Sequence, residues 1–206
     1  NGLIAIKIGN RYNCNEILDR KREMSLIETF DDREALREKL SQVVNEKRRF
    51  HSLAVAKTAA ALAQHWGLDE YKAYVAGLLH DVARGLSGEE LLTAALVYDV
   101  ATDESLLAQP VLLHGPVGAA QLAEDWGIDD AEILEAVRLH TVPDPNMGDL
   151  AKIVYVADMI EPTRRAWPGQ EELKRLAEED LDAAMVKALE ETLSYLEQRH
   201  TEPYPG

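Results

Sequence analysis

LAQHWGLDEYKAYVAGLLHD, residues 62–81, returns at residues 122–141 as LAEDWGIDDAEILEAVRLHT, and this repeat decides the fold. At an offset of 60, eight of the twenty positions are identical: Leu62, Ala63, Trp66, Gly67, Asp69, Ala76, Leu79 and His80. Each copy reads as a helix end, a Trp-Gly stop, an acidic start and a second helix. A glycine just past a helix supplies the left-handed residue that ends it. An aspartate just before the next helix accepts hydrogen bonds from its first free N–H groups. That punctuation accounts for Gly and Asp. It does not account for a histidine closing both second helices, His80 and His140, nor for one opening each copy's first helix, His51 and His114. Two copies are too few for a solenoid, so the repeat predicts two helical hairpins within one domain.

Outward from the repeat, apolar residues keep the helical period. They do so in Leu36-Leu40-Val43-Val44, Val55-Ala59-Leu62, Ile133-Val137, Ile153-Val156-Ile160 and Leu181-Met185-Leu189-Leu193-Leu196. The pattern predicts an all-α protein with helices near 32–46, 50–66, 70–84, 88–97, 115–126, 130–141, 148–161 and 170–199. Gly67, Gly85, Gly127, Pro143, Pro145, Pro162 and Pro168 fall where these helices should stop. The main domain is expected over residues 31–206, long enough to bury a core. Residues 1–30 read as an N-terminal extension. Within it, Leu3-Ile4-Ala5-Ile6 and Ile8 suit a short strand with no evident partner, and Met24-Ser25-Leu26 opens a more ordinary segment. Residues 1–23 are therefore either a native arm or a poorly ordered upstream stretch.

The 206 residues carry 37 Asp+Glu against 22 Lys+Arg, a net charge of −15, which argues against non-specific binding to nucleic acid or an anionic membrane. Cys14 is the single cysteine, so no intrachain disulfide framework exists and a reducing cytosol suits the chain. No apolar run approaches the roughly 18 residues of a membrane helix, and no signal-peptide pattern opens the chain. A cytoplasmic location is expected, with neither nucleic acid nor membrane as partner.

Of the six histidines, His65 and His200 lie in polar contexts and read as solvated surface. His51, His80, His114 and His140 sit at predicted helix ends beside apolar residues and should point inward. Asp81 follows His80 directly, and Asp158 interrupts the apolar helix KIVYVADMIEP. A carboxylate in such a helix is costly to bury unless it is paired or holds a metal. A single inward histidine is most often a hydrogen-bonded core residue. The order H…HD…H…H…D, carried on a repeat, points instead to a metal site. Imidazole and carboxylate suit Fe, Mn, Zn and related ions, and the lack of clustered cysteines disfavours a structural zinc site. The ligands would converge from several helices, as in metal sites built inside helical bundles.

Basic residues accompany these positions despite the acidic balance. Lys47, Arg48 and Arg49 precede His51, Arg84 follows Asp81, Arg138 precedes His140, and Arg164 and Arg165 follow Asp158. Arg48 shares a helix face with His51 at i, i+3, as Arg84 does with Asp81. A cationic rim around a metal centre suits a phosphate substrate, because the guanidinium fork matches phosphate oxygens. Ordinary surface charge explains Arg49, Arg138 and Arg165 well, and Arg48, Arg84 and Arg164 less well.

RRFHSLAVAKTAAALA, AGLLHDVAR, LLHGPVGA, EAVRLHTV with Met147 soon after, KIVYVADMIEPTR and ETLSYLEQRHTEPYPG together resemble the HD-domain metal-dependent phosphohydrolases, named for the His-Asp pair. Within them the chain is more similar to the YqeK-type bis(5'-nucleosyl)-tetraphosphatases (symmetrical). The resemblance runs from about residue 35 to the C-terminus, and the combination HT…M…ADMIEPTR is its most specific part. It implies an HD-domain helical bundle with the metal site at its centre. It also implies an iron centre of one or two ions, with manganese or another divalent metal as alternatives, and hydrolysis of diadenosine tetraphosphate to two ADP. Carried over residue by residue, His51, His80, Asp81 and Asp158 match the core metal ligands. His114 and His140 match residues that complete the metal-and-phosphate site, including a second metal. Arg48, Arg84, Thr141 and Arg164 match positions that hold nucleotide phosphates. Arg84 departs from the lysine common in relatives, which keeps the charge and changes the geometry.

The expected chemistry is metal-assisted phosphoanhydride hydrolysis, with Arg48, Arg84 and Arg164 neutralising charge on non-bridging oxygens. Asp81 would ligate or bridge metals, and His114 would ligate a second ion or give a proton to the departing phosphate. The partner is a dinucleoside polyphosphate, and a homodimer is compatible with the reading. Two rivals stand beside it. One is another HD phosphohydrolase, such as a nucleoside-monophosphate 5'-nucleotidase or a cyclic-dinucleotide phosphodiesterase. The other is a helical interaction module that keeps its histidines as structure.

Overall fold

The computed structural model describes residues 33–204, and among these every regular element is helical. In chain order they are α1 (Arg33–Ser41), α2 (Glu46–Trp66), α3 (Glu70–Leu79), α4 (Gly88–Val97), α5 (Glu104–Ala108), a 3-10 turn (Pro110–Leu113), α6 (His114–Trp126), α7 (Ala131–Leu139), α8 (Asp149–Ile160), α9 (Gln170–Glu179) and α10 (Leu181–Gln198). The all-α class is as expected. The N-terminal extension proposed for residues 1–30, with its short strand, lies outside the described residues. No described helix is long and apolar enough to cross a membrane.

The repeat folds as two hairpins, α2–α3 and α6–α7. Gly67 and Gly127 end α2 and α6 with the same left-handed backbone, φ 69° and ψ 26°. That conformation is open to glycine and costly for a residue with a Cβ. Asp69 caps α3 by accepting from Tyr71 and Lys72 N–H. In the second copy the cap is Asp130, which accepts from Glu132 and Ile133 N–H, one residue later than the repeat register predicts. Both second helices nevertheless end at equivalent residues, Leu79 and Leu139, so His80 and His140 follow at the same place in each hairpin.

Helix α8 packs against α2, α3 and α7, and so joins the two hairpins. Leu150, Ala151, Ile153, Val154, Tyr155, Val156, Ala157 and Ile160 are buried along it. Asp158 therefore stands where both hairpins meet α8.

Four boundaries differ from expectation, the first being the end of α1, which stops at Ser41 rather than near 46. Helix α2 begins at Glu46 rather than near 50, because Asn45 caps it by accepting from Arg48 N–H; His51 therefore lies in its second turn instead of opening it. Helix α3 stops at Leu79, and residues 80–85 wind through tight turns closed by Val82 N–H on Leu79 carbonyl and Arg84 N–H on Asp81 carbonyl. The shared helical face expected for Asp81 and Arg84 is thus a turn. The long 170–199 helix is two helices, broken at Asp180, whose φ of −157° and ψ of 104° are extended and whose side chain caps α10. The short α5 and the 3-10 turn were not expected. The latter delivers His114 to the start of α6.

The two helices of the first hairpin touch backbone to backbone at Gly77. A Cβ there would stand 2.9 Å from Ala56 Cα and 3.1 Å from Ala56 N, atoms that cannot swing aside. Gly77→Ala should therefore destabilise by about 1–3 kcal/mol, the usual cost of overpacking, read as a lower midpoint in denaturant unfolding. Gly85→Ala is the control: its Cβ would meet nothing nearer than Val43 O at 4.0 Å, so an effect within about 0.5 kcal/mol is expected. Equal midpoints for the two variants would contradict the close contact.

Candidate metal centre

His51, His80, Asp81, His114, His140 and Asp158 meet at one place. Asp81 stands at its centre, and its two oxygens face different histidines. Oδ2 lies 3.3 Å from His80 Nε2 and 3.7 Å from His51 Nε2. Oδ1 lies 3.2 Å from His114 Nε2 and 3.7 Å from His140 Nε2. Asp158 Oδ1 closes the first side, 3.0 Å from His51 Nε2 and 3.8 Å from His80 Nε2. His114 and His140 are in turn 3.1 Å apart, Nε2 to Nε2.

All four imidazoles are aimed by their other nitrogen. His80 Nδ1 meets Gly77 carbonyl at 2.7 Å and His140 Nδ1 meets Val137 carbonyl at 2.6 Å, each three residues back. His114 Nδ1 meets Val111 carbonyl, again three residues back. His51 is the exception, since its Nδ1 meets the Glu161 carboxylate at 3.1 Å. A carbonyl or a carboxylate only accepts, so each Nδ1 donates and each Nε2 faces the centre, the orientation of imidazoles that bind metal; before a metal binds, His51 Nε2 faces the Asp158 carboxylate there.

The residues fit a cation. His80 Nε2 is sealed from solvent and, although Asp81 Oδ2 lies 3.3 Å away, makes no hydrogen bond, which leaves it open to a cation. His51, His80 and Asp158 form one group of ligand atoms within 4.8 Å of one another, and His80, Asp81 and His140 form a second. Metal–ligand bonds of about 2.0–2.2 Å span such groups with small adjustments.

Electrostatics agree. Burial acts to raise the pKa of Asp81, but His80, His114 and His140 hold it far below the carboxylate range. Burial likewise opposes charge on Asp158, and His51, His80 and Arg164 outweigh it, so its pKa is also lowered. Burial lowers the pKa of His140. Burial would lower that of His80 too, but the charge of Asp81 beside it prevails and pushes it up to about 9. Two fixed anions thus draw a positive charge into the cluster, and a metal ion answers the same demand.

The basic residues divide. Arg48 pairs with Asp81 Oδ2 from the α2 face it shares with His51. Arg164 binds Asp158 twice, through Nη2 on Oδ1 at 2.6 Å and through Nε on the Asp158 carbonyl. It therefore grips a candidate ligand as well as offering an exposed edge. Arg84 is half-buried and makes no ion pair among the described residues. Arg49, Arg138 and Arg165 are exposed, as surface charges. Thr141 gives its hydroxyl proton to Leu112 carbonyl at 2.9 Å, which ties the end of α7 to the turn before His114. His65 is exposed and meets Glu178 carbonyl at 2.6 Å, away from the cluster.

Glu161 was not among the expected site residues. It is completely buried, and besides His51 it accepts from Thr163 N–H at 2.5 Å and from Thr163 hydroxyl at 2.7 Å. The available signal was an acid directly before Pro162 within KIVYVADMIEPTR.

Comparison with known proteins agrees with this geometry. Residues 48–163 match the HD domain model. The chain is 36% identical over 166 residues to a protein of Bacillus subtilis named symmetrical bis(5'-nucleosyl)-tetraphosphatase, covering 81% of this chain and 88% of that one. A Halalkalibacterium halodurans protein of the same name is 36% identical, covering 79% and 86%. Among solved structures, one from Clostridium acetobutylicum, described as a predicted HD superfamily hydrolase involved in NAD metabolism, superposes with a TM-score of 0.79 at 34% identity. That match covers 83% of this chain and 90% of the other. With its His-Asp pair at the centre of a six-residue cluster and this likeness over most of its length, the chain belongs to the HD-domain family and, within it, to the symmetrical bis(5'-nucleosyl)-tetraphosphatases.

Proposed function

We propose that the protein hydrolyses diadenosine tetraphosphate and related dinucleoside polyphosphates symmetrically, giving two ADP, at a divalent metal centre held by His51, His80, Asp81 and Asp158. The observation that carries the reading is the split of Asp81 between two histidine pairs, which would let this one carboxylate serve on both sides of the cluster when metal is bound. His114 and His140 would hold a second ion. Imidazole and carboxylate without thiolate suit iron, manganese or another divalent ion, and iron is the ion that the family resemblance implies. When bound, the metal supplies Lewis acidity to the phosphoryl group under attack and to the attacking water.

The chain's own residues do the rest. Asp81, buried, and Asp158, partly buried, hold negative charge in the cluster. Arg48, Arg84 and Arg164 neutralise the non-bridging oxygens of the polyphosphate, and the planar guanidinium fixes their orientation. Thr141, anchored to Leu112, lines the phosphate path beside His140. His114 serves the second ion or gives a proton to the departing phosphate. The catalytic unit is residues 31–206, the setting is the cytoplasm, and the partner is the nucleotide itself rather than nucleic acid or membrane.

A substrate panel tests this reading against its rivals. Diadenosine tetraphosphate should show the highest kcat/KM, ahead of a nucleoside monophosphate, a cyclic dinucleotide and p-nitrophenyl phosphate. A monophosphate or cyclic dinucleotide turned over fastest would assign another HD activity. No turnover on any of the four, in protein that binds no metal, would favour the interaction module.

A further inference from the structure

Three of the four clustered histidines lean on backbone carbonyls, which no side-chain substitution can invert. His51 alone leans on a side chain, Glu161, which comes from 110 residues further along the chain. We propose that Glu161 is a positioning residue that sets the tautomer of His51, keeping the proton on Nδ1 so that Nε2 holds its lone pair toward the metal. The metal half of this inference rests on the ligand reading given under Proposed function.

The geometry makes the carboxylate hard to replace. Glu161 caps the end of α8 with extended backbone, φ −56° and ψ 147°, the region favoured before proline. Thr163, just beyond Pro162, then folds back on it. Its N–H binds Oε2, and its hydroxyl binds Oε1, the oxygen that also meets His51. All three partners are donors, so every contact needs an acceptor at Glu161. The same turn supplies Arg164, whose guanidinium holds Asp158, and Asp158 lies 3.0 Å from His51 Nε2. One turn after α8 therefore steadies two neighbouring ligands, one through an acid and one through a base. A carboxylate behind a ligating imidazole fixes its orientation and raises its basicity.

Glu161→Gln separates this role from simple packing. The variant has nearly the same shape but only one acceptor. Thr163 N–H cannot turn round, so the glutamine oxygen should stay on it. The amide NH2 then takes the place of Oε1 and faces His51 Nδ1, donor against donor. The Thr163 hydroxyl can rotate to accept, but His51 escapes only by moving its proton to Nε2, which takes away the lone pair aimed at the metal.

The experiment is two-bond 1H–15N correlation of the histidine rings in metal-free protein, followed by Mn2+ titration. Wild type should show His51 Nδ1 protonated, whether or not Nε2 also shares a proton with Asp158 3.0 Å away. Glu161→Gln should show Nε2–H, with the Kd for Mn2+ raised about 10- to 100-fold, the usual cost of losing such a partner. Thr163→Val, which removes the hydroxyl and keeps the carboxylate, should retain Nδ1–H and the wild-type Kd. An unprotonated Nδ1 in wild type would overturn the proposal, as would a protonated Nδ1 or an unchanged Kd in Glu161→Gln. Should the glutamine variant fail to fold, the wild-type and Thr163→Val spectra still decide. Mn2+ should broaden the His51 ring signals in wild type. If they stay sharp, the ligand reading itself falls, independently of which nitrogen carries the proton.

Discussion

Asp81→Ala should leave a folded helical protein with no bound metal and no measurable turnover of diadenosine tetraphosphate. Among the described residues Asp81 is the one group within reach of all four clustered histidines, and it also pairs with Arg48. Its removal takes an oxygen from each half of the cluster at once. It also takes away the anion that holds positive charge there, so Arg48 and the imidazoles repel a cation instead of sharing one. The loss should exceed the about 10²–10³-fold typical of removing a single preorganised group. Metal analysis, circular dichroism and turnover check it together. Full metal content and normal turnover would sink the assignment. His65→Ala is the control, since His65 is exposed and lies outside the cluster, and it should keep both.

Arg164→Ala should lower kcat/KM for the tetraphosphate about 10- to 150-fold, since a hydrogen bond to a charged group is worth about 1.5–3 kcal/mol. A residue that met only phosphates, the role the motif implies for Arg164, would spare the metal when removed. Its double hold on Asp158 changes that expectation. The side chain is 41% exposed, so its outer edge faces solvent and incoming phosphates while its inner edge steadies a ligand. Metal affinity should therefore fall as well, by about tenfold, the lower end for a residue that supports a ligand. Arg164→Lys should recover part of the loss, because an ammonium lacks the planar fork. p-Nitrophenyl phosphate has no distal phosphates and should be hurt less than the tetraphosphate. Equal losses on the two substrates would show that Arg164 acts through Asp158 alone, and unchanged turnover on both would remove it from the site.

Much of this site is legible in the sequence because it is written twice. The Trp-Gly stop and acidic cap recur, so the helices they punctuate and the histidines that close them could be placed before any coordinates. Asp158 stood out as a charge in an apolar helix. What escaped depended on contacts distant in sequence or on competition between local signals. Val82 and Ala83 continue the helical period past His80 and are buried, so periodicity alone carried α3 through a stretch that tight turns take over. Asp180 sits in a run of helix-forming and acidic residues that would suit an unbroken helix. The break lets α10 fold back on α9 and α8 and bury Leu181, Ala184, Met185 and Ala188. Glu161 reads as an ordinary charge at a helix end, and only the approach of α2 to α8 turns it into the partner of His51. Arg164 was recognised from its motif, but its hold on Asp158 depends on the turn that Pro162 imposes.

The most direct test of the account is the product analysis of diadenosine tetraphosphate incubated with the purified protein, with added Fe2+ or Mn2+ and with chelator. The account predicts ADP as the sole nucleotide product, two per substrate consumed, with turnover lost on chelation and restored by metal. AMP and ATP in equal amounts, or turnover that survives removal of all metal, would contradict it.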